Sequence, residues 1–246
     1  MDKGFSIDVL DKGYVRYVDH LGNDQRIVEA ARISYMSPSK GEEQDRKLLK
    51  YLFRNKHTSP FEQCSITFNI KMPIFVMRQF VRHRTFRLNE WSARYSEMNN
   101  DFYIPTSWRQ QDNKNKQGSI EDNNYNWNPI IDINETLDNI YDPGGNYITA
   151  SDCLETICNK CFNIYKKFIY AGISKEMARF ILPVNLYTEI YVNCDLHNLI
   201  HFLTLRLDAH AQYEIREFAK AMYLIMKELY PITTEAFDEM NKGDVK

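Results

Sequence analysis

Glycine is scarce in this chain, with 9 in 246 residues. Neither a G-x-G-x-x-G fingerprint nor a Walker loop occurs. A dinucleotide, if one binds, must therefore be held by something other than a Gly-rich strand-to-helix turn. No stretch approaches the roughly 20 apolar residues that a bilayer span requires. The first ten residues carry Asp2, Lys3 and Asp8 and have no apolar signal core, which gives the expectation of a cytoplasmic protein with no membrane partner. The 5 cysteines are an odd number, so free thiols in a reducing compartment are expected. Charge of one sign is also missing. Lys+Arg is 31 against Asp+Glu 33, for a net charge of -2. That balance argues against holding a long nucleic acid through a global positive field, while leaving room for a local basic site. There is no repeat at solenoid period.

What is present is a globular composition, 43% hydrophobic, 13% aromatic and 26% charged, of a length that suits one domain or at most two. Two short alternating segments, Phe5 to Leu10 and Tyr14 to Val18, read as strands. After a turn at Leu21-Gly22-Asn23, Asp24 is placed to cap a helix with Ile27, Val28 and Ala31 on one face. A second helix is expected from Gly41 to Asn55. Ser65 to Lys71 is the clearest strand, with Ile66, Phe68 and Ile70 facing one way. Pro73 suits the first position of a helix reaching Arg82. The stretch from Arg109 to Ala150 is polar and reads as a solvated insertion, with a short helix near Ile130 to Ile140. Helical period returns over Ser151 to Ala171, closed by Gly172. A short helix after Ser174, a strand at Leu186 to Val192, a helix capped by Asp195, and a last long helix from His210 to Leu229 complete the chain. This mixed order lacks βαβ regularity and predicts an α+β fold.

Two polar clusters could carry chemistry. The first runs from Arg78 to Tyr95 and contains five arginines and His83 in a chain with almost no net charge. Guanidinium groups bind phosphate through paired, charge-assisted hydrogen bonds. A solvated basic helix face is the plain alternative, but it does not account for the interleaved Phe75, Val76, Phe80, Val81 and Phe86. The second cluster is Asp195, His197, His201, Arg206, Asp208, His210 and Gln212. His197 and His201 are four apart and share a helix face, which is half of a metal-binding pattern. Asn198 stands where a zinc-protease motif needs Glu, so a polar face at a ligand or subunit contact is preferred and no metal is assigned. Cys158 and Cys161 form a C-x-x-C on the apolar stripe of a predicted helix and read as core thiols.

At Arg82-His83-Arg84, seven residues, then Ser92, the chain resembles the R-H-R-x7-S signature of flavin-dependent thymidylate synthases. His57-Thr58-Ser59-Pro60-Phe61-Glu62 is similar to that family's H-x-S/T-P-F-E segment. Asn89 to Ser96, Ala178 to Tyr187 and Leu205 to Gln212 resemble its N-E-x-S-x-R-Y-S, A-R-x-x-L-P-x-N-L-Y and R-x-D-x-H-A-Q segments. The likeness covers about residues 7–108 and 151–230.

This resemblance implies reductive methylation of dUMP to dTMP, a step of de novo dTMP biosynthesis. The one-carbon donor is 5,10-methylenetetrahydrofolate, which leaves as tetrahydrofolate. FAD is the hydride carrier and NADPH the reductant. It implies one α+β domain over 1–246 with a small, mainly antiparallel sheet, a polar insertion at about 109–150, and a homotetramer with shared active sites. By resemblance Arg206 is catalytic, its cation favouring the ionised pyrimidine and pushing electron density toward C5. Gln79, Arg82, Glu90, Trp91, Ser92, Ala93, Arg94, Arg179 and Arg206 would bind dUMP, with arginines toward phosphate. His57, Ser59, Glu62, Arg82, His83, Arg84, Asn89, Glu90, Asp195, His197, His201 and His210 would contact the flavin. Ser92 invites a nucleophile reading, but no obvious base adjoins it, so a hydrogen-bonding substrate ligand is preferred. The chain departs from the family at Arg87, where many members have Ser, and at Asp195 and His197, where some have Asn and Arg. Two rival readings remain on residues alone: a nucleic-acid-binding module using Arg78 to Arg94, and a metal hydrolase using His197 and His201.

Overall fold

Strand alternation and helix periodicity resolve into a sheet with helices on its apolar face. The computed structural model describes residues 1–39, 41–113, 118–120, 127–132 and 147–241. The chain divides into two units, one of Met1–Met72, Val76–Glu90 and Glu189–Lys246, the other of Pro73–Phe75 and Trp91–Thr188.

The first unit is built on β1 (Ser6–Val9), β2 (Gly13–Leu21), β3 (Ser65–Pro73), β4 (Arg87–Glu90) and β9 (Tyr187–Asp195). Their order in the sheet is β1-β2-β3-β9-β4. The β1–β2, β2–β3 and β4–β9 pairs are antiparallel, with Val15 opposite Ile70 and Leu88 opposite Val192. Val15, Ile66, Phe68, Ile70, Ile190, Val192 and Cys194 are buried, as period-two alternation requires of a half-buried sheet. Gly13 is demanded by close approach. A Cβ there would lie 2.7 Å from the Val9 carbonyl oxygen and 3.0 Å from the Phe218 ring.

Five helices belong to this unit: α1 (Asp24–Arg32), α2 (Glu42–Arg54), α6 (Leu196–Arg206), α7 (Tyr213–Leu229) and α8 (Pro231–Asn241). Three elements straddle the division, β9 among them, since its Tyr187 and Thr188 fall in the second unit. β3 runs through Pro73, and α3 (Ile74–Phe80) follows it directly, so Pro73 ends a strand instead of opening the helix. The helix ends are also corrected. Asn23, not Asp24, caps α1, its side chain accepting from the Arg26 N–H at 3.0 Å. Asp24 is buried and accepts from the N–H groups of Ile232 and Thr233 at 2.7 and 3.1 Å, and from the Thr233 hydroxyl at 2.6 Å. It thus satisfies the otherwise unpaired N–H groups at the buried start of α8. The expected helix from His210 to Leu229 begins only at Tyr213, and a further helix, α8, follows it. Pro231 opens it, a position where the missing N–H costs nothing. Lys50 pairs with Glu235 at 2.8 Å and Glu239 at 2.6 Å, and Arg54 pairs with Glu239 at 2.7 Å. These partly exposed pairs fix the register of α2 on α8 more than they stabilise it.

The second unit centres on α4 (Ala150–Tyr170), capped by Thr149 and closed at Gly172 with φ +85. Its core is Met98, Phe102, Cys158, Tyr165, Ala178 and Leu186. Buried Asn185 donates to the Tyr103 carbonyl at 2.9 Å and accepts from the Cys158 thiol at 3.5 Å. Cys158 is therefore a core thiol, Cys161 is half-buried, and all five cysteines are free. A short α5 (Lys175–Ala178) follows. Among the described residues the insertion contributes two antiparallel strand pairs, β5 (Gln110–Gln111) with β6 (Ser119–Ile120), and β7 (Ile130–Asp132) with β8 (Tyr147–Thr149). Ile130–Asp132 is thus a strand where a helix start is expected, and the remainder of that expectation lies outside the described residues. No helix among the described residues is long and apolar enough to cross a membrane.

Asp24→Ala should destabilise the protein by roughly 2–4 kcal/mol, since it removes three hydrogen bonds at a buried helix start. The expected result in urea unfolding is a lower midpoint with an unchanged slope. A midpoint within error of the parent would show that α8 is held without this cap.

Candidate active site

The Arg82-His83-Arg84 segment forms tight turns after α3. The N–H of Arg82 donates to the Gln79 carbonyl at 3.2 Å, that of His83 to Phe80 at 3.1 Å, and that of Phe86 to His83 at 3.1 Å. The turns alternate environment: His83 is buried while Arg82 and Arg84 are exposed. The imidazole lies among Phe202, Phe86 and His201, with ring centroids 4.8, 5.8 and 6.3 Å away. Burial first, then the Arg206 and His201 charges, push its pKa down to about 4. His83 is therefore neutral at physiological pH.

A neutral imidazole has one donor and one acceptor nitrogen. Here Nε2 accepts from Arg206 Nε at 3.2 Å, which leaves the proton on Nδ1. Arg206 is the last residue of α6 and is half-buried, and burial lowers its pKa. Among the described residues it has no carboxylate partner. Arg78, Arg82 and Arg84 likewise have none. Arg87 differs. Its guanidinium donates to the Asn193 side chain at 3.1 Å across the β4–β9 pair, so it belongs to the sheet surface.

Gln79, on α3, donates through Nε2 to Gln212 Oε1. Gln212 in turn donates to Glu214 Oε2 at 2.8 Å. Gln212 falls in the second polar cluster of the sequence with no assigned role, and the only local sign of Glu214 is the Gln-x-Glu spacing at a helix start.

Of the residues expected at the flavin, His57 follows a left-handed Lys56 (φ 56) that ends α2, and its ring stacks on Tyr51 at 6.0 Å. Ser59 and Glu62 are exposed, and Glu62 lies on a turn seated by buried Phe61. That turn packs against α6, where the Leu196 N–H donates to the Cys64 carbonyl at 2.9 Å. The Asp195 carboxylate caps α6, accepting from the Asn198 backbone and side-chain nitrogens at 2.9 and 2.6 Å. His197 and His201 lie one turn apart on α6. No group of three His, Cys, Asp or Glu suited to a metal occurs among the described residues. His210 is exposed in the turn before α7, its ring 2.9 Å from Asp208. Asn89 and Glu90 are exposed on the edge strand β4.

In the second unit, Trp91 and Ala93 pack against the Met98–Tyr165 core. The intervening Ser92 accepts from the Arg94 N–H at 3.3 Å. Within this unit its hydroxyl has no histidine or carboxylate partner among the described residues, which suits a ligand better than a nucleophile. Arg94 and Arg179 both bond Glu176, Arg94 Nε to its carboxylate at 3.3 Å and Arg179 Nε to its carbonyl at 3.2 Å.

The sequence pattern of the family described as "Thymidylate synthase complementing protein" matches residues 16–232. The chain belongs to the flavin-dependent thymidylate synthase family. It is accordingly an enzyme, a methyltransferase. It is 45% identical over 235 residues to the flavin-dependent thymidylate synthase of Ehrlichia ruminantium strain Gardel, covering 94% of this chain and 72% of that one. It is 44% identical over 247 residues to the enzyme of Treponema denticola, covering 100% and 85%. Among solved structures it is similar to PolB, a UMP/dUMP methylase from Streptomyces cacaoi bound with 5-Br dUMP, at TM-score 0.75 and 31% identity over 95% of this chain and 97% of that one. The α+β architecture with its antiparallel strand pairs agrees with the fold expected of this flavin-dependent family.

His83 gives a pH test. The unfolded chain protonates it below about pH 6.5, the folded protein only near pH 4. Its contribution to stability is complete above 6.5 and is lost as pH falls toward 4. Wild-type enzyme should therefore lose about 1–3 kcal/mol over this window that His83→Phe does not lose. Equal pH slopes of melting temperature in the two proteins would count against a neutral buried His83.

Proposed function

We propose that this enzyme converts dUMP to dTMP by reductive methylation, taking its carbon from 5,10-methylenetetrahydrofolate. The observation that carries the reading is the set of guanidinium groups without carboxylate partners among the described residues, at Arg78, Arg82, Arg84 and Arg206, in a chain whose acids outnumber its bases, 33 to 31. Unpaired cations gathered beside a buried aromatic cluster need an anionic, partly aromatic ligand, and a nucleotide or flavin dinucleotide is both. The relatives' names and the halogenated dUMP on PolB support the same substrate class.

The donor set fits a flavin bearing phosphates: Arg82, Arg84 and Asn89 offer donors, and His57, His197, His201 and His210 offer rings and N–H groups. FAD, when bound, supplies hydride chemistry that protein side chains lack, with NADPH as its reductant. The chain's own residues bind and polarise. Arg206 holds a full positive charge beside the pyrimidine, stabilises negative charge on the ring and so raises electron density at C5. His83 orients that guanidinium without neutralising it. Arg94 and Arg179 take the phosphate, and Ser92 with the Glu90 to Arg94 backbone orients the nucleotide. We read residues 1–246 as one family domain with a surface insertion, working as a cytoplasmic homotetramer in de novo dTMP synthesis.

The freshly purified protein should show flavin bands near roughly 375 and 450 nm that bleach on reduction. Colourless protein that fails to take up FAD would refute the flavin assignment. Arg206→Ala should abolish dTMP formation while retaining FAD, and full turnover by that variant would remove its activating role.

A further inference from the structure

Glu214 sits in the first turn of α7 and is only 3% exposed. A buried carboxylate accepts hydrogen bonds and, when ionised, donates none. It therefore imposes a direction on the groups linked to it. Gln212 turns its Nε2 inward to donate to Glu214 Oε2 at 2.8 Å. Its Oε1 must then face outward, and there it accepts from Gln79 Nε2. The amide of Gln79 is fixed in turn, nitrogen toward Gln212 and carbonyl oxygen toward the ligand side. We propose that Glu214 and Gln212 are positioning residues that lock the amide of Gln79, so that Gln79 presents an acceptor to a donor of the nucleotide, a pyrimidine N–H or a ribose hydroxyl. Phosphate, which has only acceptors when ionised, is not its partner. This inference deepens the proposed dUMP chemistry and rests on it.

A purely local role for Glu214, an acid in the first turn of a helix complementing its dipole, makes different predictions. Such a role needs the charge and is indifferent to Gln79. The relay needs only an acceptor and acts through Gln79. Dissociation constants for dUMP are measured calorimetrically on FAD-loaded enzyme, with melting temperatures alongside. Gln79→Ala and Glu214→Leu should each weaken dUMP binding roughly tenfold. The double variant should be no weaker than Gln79→Ala alone, within about twofold, because both changes remove one interaction. Glu214→Gln, which keeps an acceptor oxygen, should stay within about threefold of wild type. Deoxyuridine, which lacks the phosphate, should suffer the same fold-loss on Gln79→Ala.

If Glu214→Leu does not fold, Gln212→Ala breaks the same relay at its middle link and should behave identically. An additive loss near a hundredfold in the double variant overturns the relay, as does a Glu214→Gln variant as weak as Glu214→Leu. A Gln79→Ala penalty confined to dUMP and absent with deoxyuridine overturns the assignment of its ligand group. Wild-type enzyme that does not bind dUMP overturns the functional reading itself, an outcome distinct from the others.

Discussion

The candidate site depends on a hydrogen bond between a charged group and a neutral one. An arginine can be aimed by a carboxylate, but the pair then presents almost no net charge to a ligand. His83 avoids this. Enclosed by Phe86 and Phe202, its imidazole stays uncharged and accepts from Arg206 Nε. The guanidinium is oriented and partly desolvated, and its charge is undiminished. Both effects strengthen its pull on developing negative charge. The same burial explains the R-H-R pattern. A turn that drives its middle residue into an aromatic cage must turn its two neighbours outward, so His83 anchors the turn and Arg82 and Arg84 are displayed.

The two units treat their arginines differently. In the first, the displayed arginines have no anionic partner among the described residues. In the second, Arg94 and Arg179 are both tied to Glu176, one to its carboxylate and one to its carbonyl. A carbonyl bond orients a guanidinium without cancelling its charge, and an exposed carboxylate pair is weak and screened. Arg94 and Arg179 are thus oriented by contacts that leave their charge largely uncancelled.

Much of this architecture was legible in the sequence. Alternation at Ser65 to Lys71 specified a strand and its buried face, and Asp195 marked the start of α6. The signature segments located the arginine turn and Ser92. What escaped was non-local. Asp24 looks like a local cap but serves a helix at the far end of the chain, so α8 could not be inferred from its own pattern. Ile130 to Asp132 has an apolar start that suits helix or strand equally, and pairing with β8 decided it. Glu214 was invisible because its role lies in what it touches on another element.

The tie between Asp24 and Thr233 spans 209 positions, and β9 enters the sheet only after the whole second unit has been made. The contiguous run Trp91–Thr188 supplies most of the second compact unit. A ribosome releases the chain from its first residue onward, at roughly 5–20 residues per second. The middle of the polypeptide can therefore settle during synthesis, while the early strands and α1 wait for the last helices to emerge. The arginine turn matures late for the same reason, since its anchor Phe202 is translated more than a hundred residues after His83. Vectorial synthesis delays the first unit and leaves its unpaired strands as the segment most in need of protection before release.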